Sequence, residues 1–344
     1  MSRVVLVTGV SRDIAARVAR SLAGVDGLEV VGIDVAPPRH DLGAVRFVRA
    51  DLRSPLLART LAEVMPETVV HAAVSDDLSE TEGKELNVLG SMQLLAECRA
   101  RPEIRHLVAV SSGAVYGSSA TEPGRFAEDV RLPTRGRSRL GRHAAEMEDY
   151  VRTFAAGRPE VTTAVLRFAD VLGAGVDSGL SRYISLPVVP KPMGFDARLQ
   201  FLHPVDAVDA CRAAVTQRWS GTFNVAASDV ISLTQAVRIL GRPSVGVPAA
   251  ALPAAIELAG RGRMGPGRMG SGELRSVTYG RVMDVSRIEG QGFVAHYSSR
   301  RVVQEFAALG TPGPLSSVTI DRLMRALDRL GNTAERFVRG GRRD

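Results

Sequence analysis

Apolar and polar positions alternate along this chain in two rhythms, and the first 170 residues keep them in strict turn. Val4 to Val7 is an unbroken apolar run, the pattern of a strand buried on both faces of a parallel sheet. Thr8-Gly9 interrupts it, and Ile14, Val18 and Leu22 then recur at helical spacing. Leu28 to Ile33 is a second apolar strand that ends in Asp34. Further strands are predicted at Val45 to Val48, Thr68 to His71, His106 to Val110 and Thr162 to Phe168. Between them Ser54-Pro55 opens a helix, and long helices are predicted over Leu86 to Cys98 and Arg137 to Ala156. Regular alternation of this kind predicts an α/β fold with a doubly wound parallel sheet.

Beyond residue 170 the rhythm loosens. Pro187, Pro190 and Pro192 mark loops, Leu199 to His203 reads as a short strand, and Val205 to Val215 as a helix. Gly221 to Val225 returns to strand and Ser232 to Leu240 to helix. Arg261 to Gly272 is low in complexity, and the tail is polar and basic. The expected division is a sheet domain over 1–170 with parts of 199–230. A smaller domain follows over 171–198 and 231–330, and a basic tail over 331–344.

Composition narrows the classes. At 344 residues the chain can bury a large core. Its net charge of +7 comes almost wholly from arginine, with Lys84 and Lys191 the only lysines. No Lys/Arg run is interleaved with aromatics, so nucleic acid is not an expected partner. Cys98 and Cys211 sit in apolar helical contexts, as buried thiols do in a reducing compartment. With no leader pattern before the first strand, the expected location is the cytoplasm. Val245 to Ala259 is apolar and is followed by Arg261, Arg263 and Arg268, which admits a membrane-surface reading. A helix over a substrate cleft is the preferred one. No His/Cys/Asp/Glu cluster has metal spacing, and no metal site is expected.

The candidate chemistry begins at the first strand. Strand, tight glycine turn, helix, strand and terminal acid form a dinucleotide-binding unit, with Asp34 placed to meet the adenosine ribose. The fingerprint's further glycines are replaced by Arg12, Asp13 and Ala15.

Several pieces now stand in order: Thr8-Gly9, Asp34, Asp51-Leu52, His71-Ala72-Ala73, Asn87-Val88, Ser111 to Gly117, Leu166-Arg167, and His203 with Asp206. In this order and spacing they resemble the extended short-chain dehydrogenase/reductases, the NAD-dependent nucleotide-sugar epimerases and dehydratases. Tyr279 to Asp284 resembles actinobacterial UDP-glucose 4-epimerase-like members. The resemblance implies a Rossmann sheet, a smaller C-terminal substrate domain, NAD as cofactor, a nucleotide or nucleotide-sugar ligand and a homodimer built on the two long helices. It implies cofactor contacts from Gly9, Arg12, Asp13, Ile14, Asp34, Asp51, Leu52, Ala72, Ala73 and Asn87. Ser112 takes the place of the substrate-orienting hydroxyl. The family's base is a Tyr with a Lys four residues on and a Glu four further. With Glu146 as anchor, Ser138 and Arg142 fall at the Tyr and Lys positions, leaving Arg142 to meet the nicotinamide ribose. Tyr116 is the remaining hydroxyl that can stand in as base. Asp170 replaces an Asn that holds the sugar nucleotide, and on this reading repels a diphosphate, as Asp13 does at the phosphate loop.

Three functions follow. The first is a divergent nucleotide- or metabolite-binding regulatory or scaffold protein without the Tyr/Lys pair. The second is an active nucleotide-sugar epimerase or dehydratase with a rearranged base. The third is a peripheral membrane or partner-binding module.

Overall fold

The structure, a computed structural model, describes residues 3–72, 80–133, 136–260 and 269–310. Its centre is a seven-stranded sheet. The strands are β1 (Arg3–Thr8), β2 (Leu28–Asp34), β3 (Arg46–Arg49), β4 (Thr68–His71), β5 (His106–Ser112), β6 (Thr162–Phe168) and β7 (Gly221–Val225). They run in the order β3-β2-β1-β4-β5-β6-β7, every neighbouring pair parallel. Strand order reverses between β1 and β4, where Thr8 pairs with His71. In open parallel sheets the carboxyl ends at such a switch point are where ligands bind.

Period-two patterning accounts for the packing on each side. Val5 and Val7 of β1 join one apolar cluster with α1 (Asp13–Ala23) and α5 (Pro204–Thr216). Leu6 faces the other cluster, under α2 (Leu57–Val64), α3 (Ser91–Arg99) and the inner face of α4 (Arg139–Gly157). The helix expected from Pro55 begins at Leu57, because Ser54 Oγ accepts from Leu56 N in a turn first. Instead of one helix over Leu86 to Cys98, a π-helical turn covers Glu85–Gly90 before α3 begins. Such turns inside helices cluster at functional sites.

A third apolar cluster gathers residues from Leu172 to Val303, among them Tyr183, Phe201, Leu233, Ile256 and Val277. The apolar stretch after Ser244 divides between a strand, Ser244–Val247, paired with Val189–Pro192, and a helix, Leu252–Ala259, that buries Leu252 and Ile256. The arginines at 261, 263 and 268 and the tail lie outside the described residues. No helix among the described residues is long and apolar enough to cross a membrane.

Candidate functional site

At the carboxyl ends of β1 and β2 the chain forms a cleft of about 330 Å³. Gly9 turns the backbone there at φ +83°, a conformation that suits glycine. Arg12 is the residue before α1 and makes no side-chain cap, so the helix opens with its first N–H groups unclaimed by a cap. Asp34 faces this loop across the cleft. Its Oδ2 accepts from Ser11 N at 3.0 Å and Ser11 Oγ at 2.6 Å, and its Oδ1 from Val35 N at 2.7 Å. Ile33, Ala36, Ala50, Leu52 and Leu86 supply apolar wall, and Arg12, Arg39 and Arg53 bring guanidinium groups to the rim.

Asp13 is turned away from this cleft. Its carboxylate pairs with Arg17 at 2.9 Å and His40 at 3.3 Å, and lies against Gly175, where a Cβ would come within 2.7 Å of Oδ1. Arg17 also donates to Ala174 O. The expected repulsion between Asp13 and a phosphate is therefore offset by the Arg17 guanidinium. Asp51 likewise is held in a turn, accepting from Arg53 N, Nε and Nη2, and those bonds lower its pKa. Asp170 pairs with Arg281 at 3.2 Å, which removes much of its expected repulsion for a diphosphate.

A hydrogen-bond chain ties the switch point together. Ser91 Oγ donates to Asn87 O at 2.6 Å, so toward His71 Nε2, 2.7 Å away, it can only accept. His71 therefore carries its proton on Nε2, and its Nδ1 accepts from Thr8 Oγ1 at 2.9 Å. Thr8 Oγ1 in turn accepts from Ala72 N. Burial lowers the His71 pKa to about 4. His203 is also structural: its ring caps α5 through Val205 N and stacks on Tyr297.

The second half of the site lies at the ends of β5 and β6. Ser112 Oγ accepts from Ala114 N, capping a short turn over Gly113–Tyr116. Tyr116 does not reach the cleft. It is fully buried, stacked on Phe126, its hydroxyl donating to Asn224 Oδ1 at 2.7 Å and accepting from Arg167 Nη1 at 2.8 Å. Burial raises its pKa against the opposing pull of Arg167 and Asn224. The role of substitute base expected for Tyr116 fails on both counts.

Helix α4 shows which of its residues look inward. Gly141, His143, Ala144, Ala145, Met147 and Glu148 are buried, whereas Arg142 and Glu146 are exposed. Glu148 grips Arg167 through Nη2 at 2.7 Å and Nε at 3.0 Å, and accepts from Ser111 Oγ. Ser138 is the residue before the helix, its Oγ accepting from Gly141 N at 3.1 Å. Arg142, expected at a cofactor ribose, is exposed on α4 and is not among the residues that line the cleft beside Asp34. Asn87 is buried in the π-turn, its Nδ2 3.5 Å from His143 Nδ1.

With this geometry in hand, the comparisons with known proteins are decisive about kinship. Residues 5–226 match the model of the NAD dependent epimerase/dehydratase family. The chain belongs to that family. It is 36% identical over 295 residues to the uncharacterized proteins Rv0501 of Mycobacterium tuberculosis and Mb0513 of Mycobacterium bovis, covering 83% of this chain and 78% of each relative. Among solved structures, MoeE5 in complex with UDP-glucuronic acid and NAD is similar at TM-score 0.69 and 24% identity. That match covers 89% of this chain and 98% of MoeE5. UDP-glucose 4-epimerase of Thermotoga maritima with UDP-glucose matches at TM-score 0.67 and 17% identity, over 89% and 97%. These likenesses establish a shared Rossmann-type fold.

Of the residues expected to meet a cofactor, Gly9, Arg12, Asp34 and Leu52 line the cleft together. Ile14 packs against the core behind it, and Ala72 closes β4 through Thr8. Ala73 lies outside the described residues. Ser11 and Arg39 were missed by sequence reasoning, although Ser11 stands two residues after the turn glycine, within reach of the next strand's terminal acid. Among the described residues no group of three or more His, Cys, Asp or Glu is placed to hold a metal ion.

Proposed function

We propose that this chain is a nucleotide-binding member of the family that does not carry out the family's hydride-transfer chemistry, and that it acts as a ligand-responsive regulatory or scaffold protein. The observation that carries the reading is the inward face of α4. Positions four apart lie on one helical face. Arg142 and Glu146 are exposed and Ser138, the cap before the helix, is half-buried, whereas Ala144 and Glu148 are buried and Leu140 half-buried on the other face. Anchored on the buried glutamate, the family's Tyr and Lys positions fall at Leu140 and Ala144 in place of Ser138 and Arg142. Either register lacks the pair. A base for this reaction must release a proton near neutral pH, which a phenol beside a cation does and neither serine nor leucine can.

The cofactor half supports binding more than the reaction half supports chemistry. NAD, when bound, accepts and returns a hydride; Asp34 and the Gly9 turn suit its adenosine ribose, and Arg12 stands where a glycine would let the pyrophosphate approach. Affinity for NAD is accordingly expected to be weak.

The test uses purified protein with NAD and UDP-glucose, UDP-galactose, UDP-glucuronic acid or dTDP-glucose. No epimerised, oxidised or dehydrated sugar is expected. Leu140→Tyr with Ala144→Lys, in an Arg12→Gly background, should produce trace turnover, while Ser138→Tyr with Arg142→Lys should stay inert. Binding should follow the loop change and chemistry the helix changes. Wild-type turnover near ~1 s⁻¹, within the usual enzyme range, would establish the alternative of a rearranged base.

A further inference from the structure

The later part of the chain leaves an apolar stretch in water. Residues 244–260 hold one charged residue, Glu257, and the remainder is apolar save Ser244. A run of that composition belongs inside a protein, yet only part of this one goes in. The helix Leu252–Ala259 buries Leu252 and Ile256 and exposes Pro253, Ala254 and Leu258, the last at 58%. The turn before it, Ala249–Ala251, buries nothing. Val245, in the strand Ser244–Val247, is 43% exposed. The apolar surface continues to the exposed Val188, beside the residue that pairs with Ser244. Outer faces elsewhere look different: α4 turns Arg142, Glu146, Asp149 and Arg152 to water.

The distribution of charge indicates what such a surface fits. Residues 261–268 hold three arginines and no acid, and residues 311–344 hold seven arginines against four acids. Together they account for six of the seven net positive charges of the chain. Within the second of these segments Ile320, Leu323, Met324, Leu327 and Leu330 recur at helical spacing. Arg322, Arg325 and Arg329 fall on the opposite side of that period. Glu257 already has a partner, so the apolar face holds no unmet carboxylate to draw a cationic protein.

We propose that the face formed by Val245, Ala249–Ala251, Pro253 and Leu258 docks on the headgroup region of an anionic phospholipid membrane. A second copy of this chain would bring the same surplus of arginine and be repelled. A neutral apolar partner would leave the arginines unused. An anionic lipid surface takes up apolar area and positive charge together, and interfacial binding scales with both. The contact is peripheral, since no helix among the described residues is long and apolar enough to cross a membrane. None of residues 244–260 lines the cleft beside Asp34, so membrane and nucleotide do not compete for its side chains.

Co-sedimentation of the full chain with two kinds of vesicle tests this: phosphatidylcholine alone, and phosphatidylcholine mixed equally with phosphatidylglycerol. The anionic vesicles should bind at least about tenfold more tightly, and added salt should erase most of the difference. Val245→Ser with Leu258→Ser removes apolar area without changing charge and should weaken that binding about tenfold. The unfolding midpoint should not move, because both side chains are already exposed. Binding that survives the serine pair overturns the proposal and assigns the attraction to charge alone. Equal binding to both vesicles, or to neither, overturns it as well. Sedimentation without vesicles as concentration rises would give the face to a second copy instead.

Discussion

His71 shows how far one residue's role can be worked out from its neighbours. As a polar residue closing an apolar strand it reads as a satisfied structural histidine, but the strand alone does not name its partners. The assignment comes from Ser91 and Asn87, which are far from it in sequence but adjacent at the π-turn. Tyr116 was misread for a related reason: its partners Arg167 and Asn224 come from β6 and β7, and no local pattern announces them. Burial holds the pKa of His71 and of His106 down to about 4, below the usual 6.5. The unfolded chain therefore binds protons that the folded one refuses. Stability is fully present above the unfolded pKa and is lost as pH falls from 6.5 toward 4. Between neutral pH and about pH 5 each histidine should withdraw about 2 kcal/mol. Urea denaturation across that range measures the loss, and histidine NMR should show the His71 ring neutral with its proton on Nε2. A flat stability profile from neutrality to about pH 5 would contradict the assignment.

Among the elements, the sheet strands were legible because burial on both faces leaves little room for anything but apolar runs, and β6 and β7 fall on the expected residues. The π-turn was not legible, since Leu86 to Cys98 has ordinary helical spacing and the extra backbone residue leaves no mark on side-chain type. Helix α4 was legible as a helix, but which of its two glutamates turns inward was not. Glu146 and Glu148 are two residues apart, about 200° around the axis, and only Arg167 decides which turns inward. Arg167 lies on a strand, fully formed by its own apolar neighbours, so no helix pattern reveals the pairing. Burial works against the Arg167 charge, and the hydrogen bonds and charge of Glu148 more than reverse that, raising its pKa. Glu148→Ala would strand this guanidinium and should cost about 3–5 kcal/mol. Glu146→Ala should stay within about 0.5 kcal/mol, as exposed substitutions do. Chemical denaturation of the two variants compares them directly. Equal costs would put the inward register, and the placement of Leu140 and Ala144 with it, in error.

At the scale of the whole molecule, the same two helices carry the question of assembly. The outer stripe of α4 presents Arg142, Glu146, Asp149 and Arg152, charges of both signs that a symmetric partner can meet in opposite order. Beside it Leu89 and Met92 remain 40% and 38% exposed, apolar area that the monomer leaves to water. Burying such side chains stabilises the pair by roughly 25 cal/mol for each Å² of apolar surface taken out of water, whereas the surrounding ion pairs contribute little on an exposed face. We propose a homodimer in which Leu89 and Met92 meet their symmetry mates and the α4 charges form the rim. Because the apolar centre is small, association should be weak and reversible, with dimers populated at micromolar concentration and above. Light scattering across a dilution series measures this. Leu89→Glu with Met92→Glu should give monomers at every concentration without lowering the unfolding midpoint, since neither side chain belongs to the buried core. If the wild-type chain stays monomeric at the highest concentrations, the apolar pair serves something other than self-association.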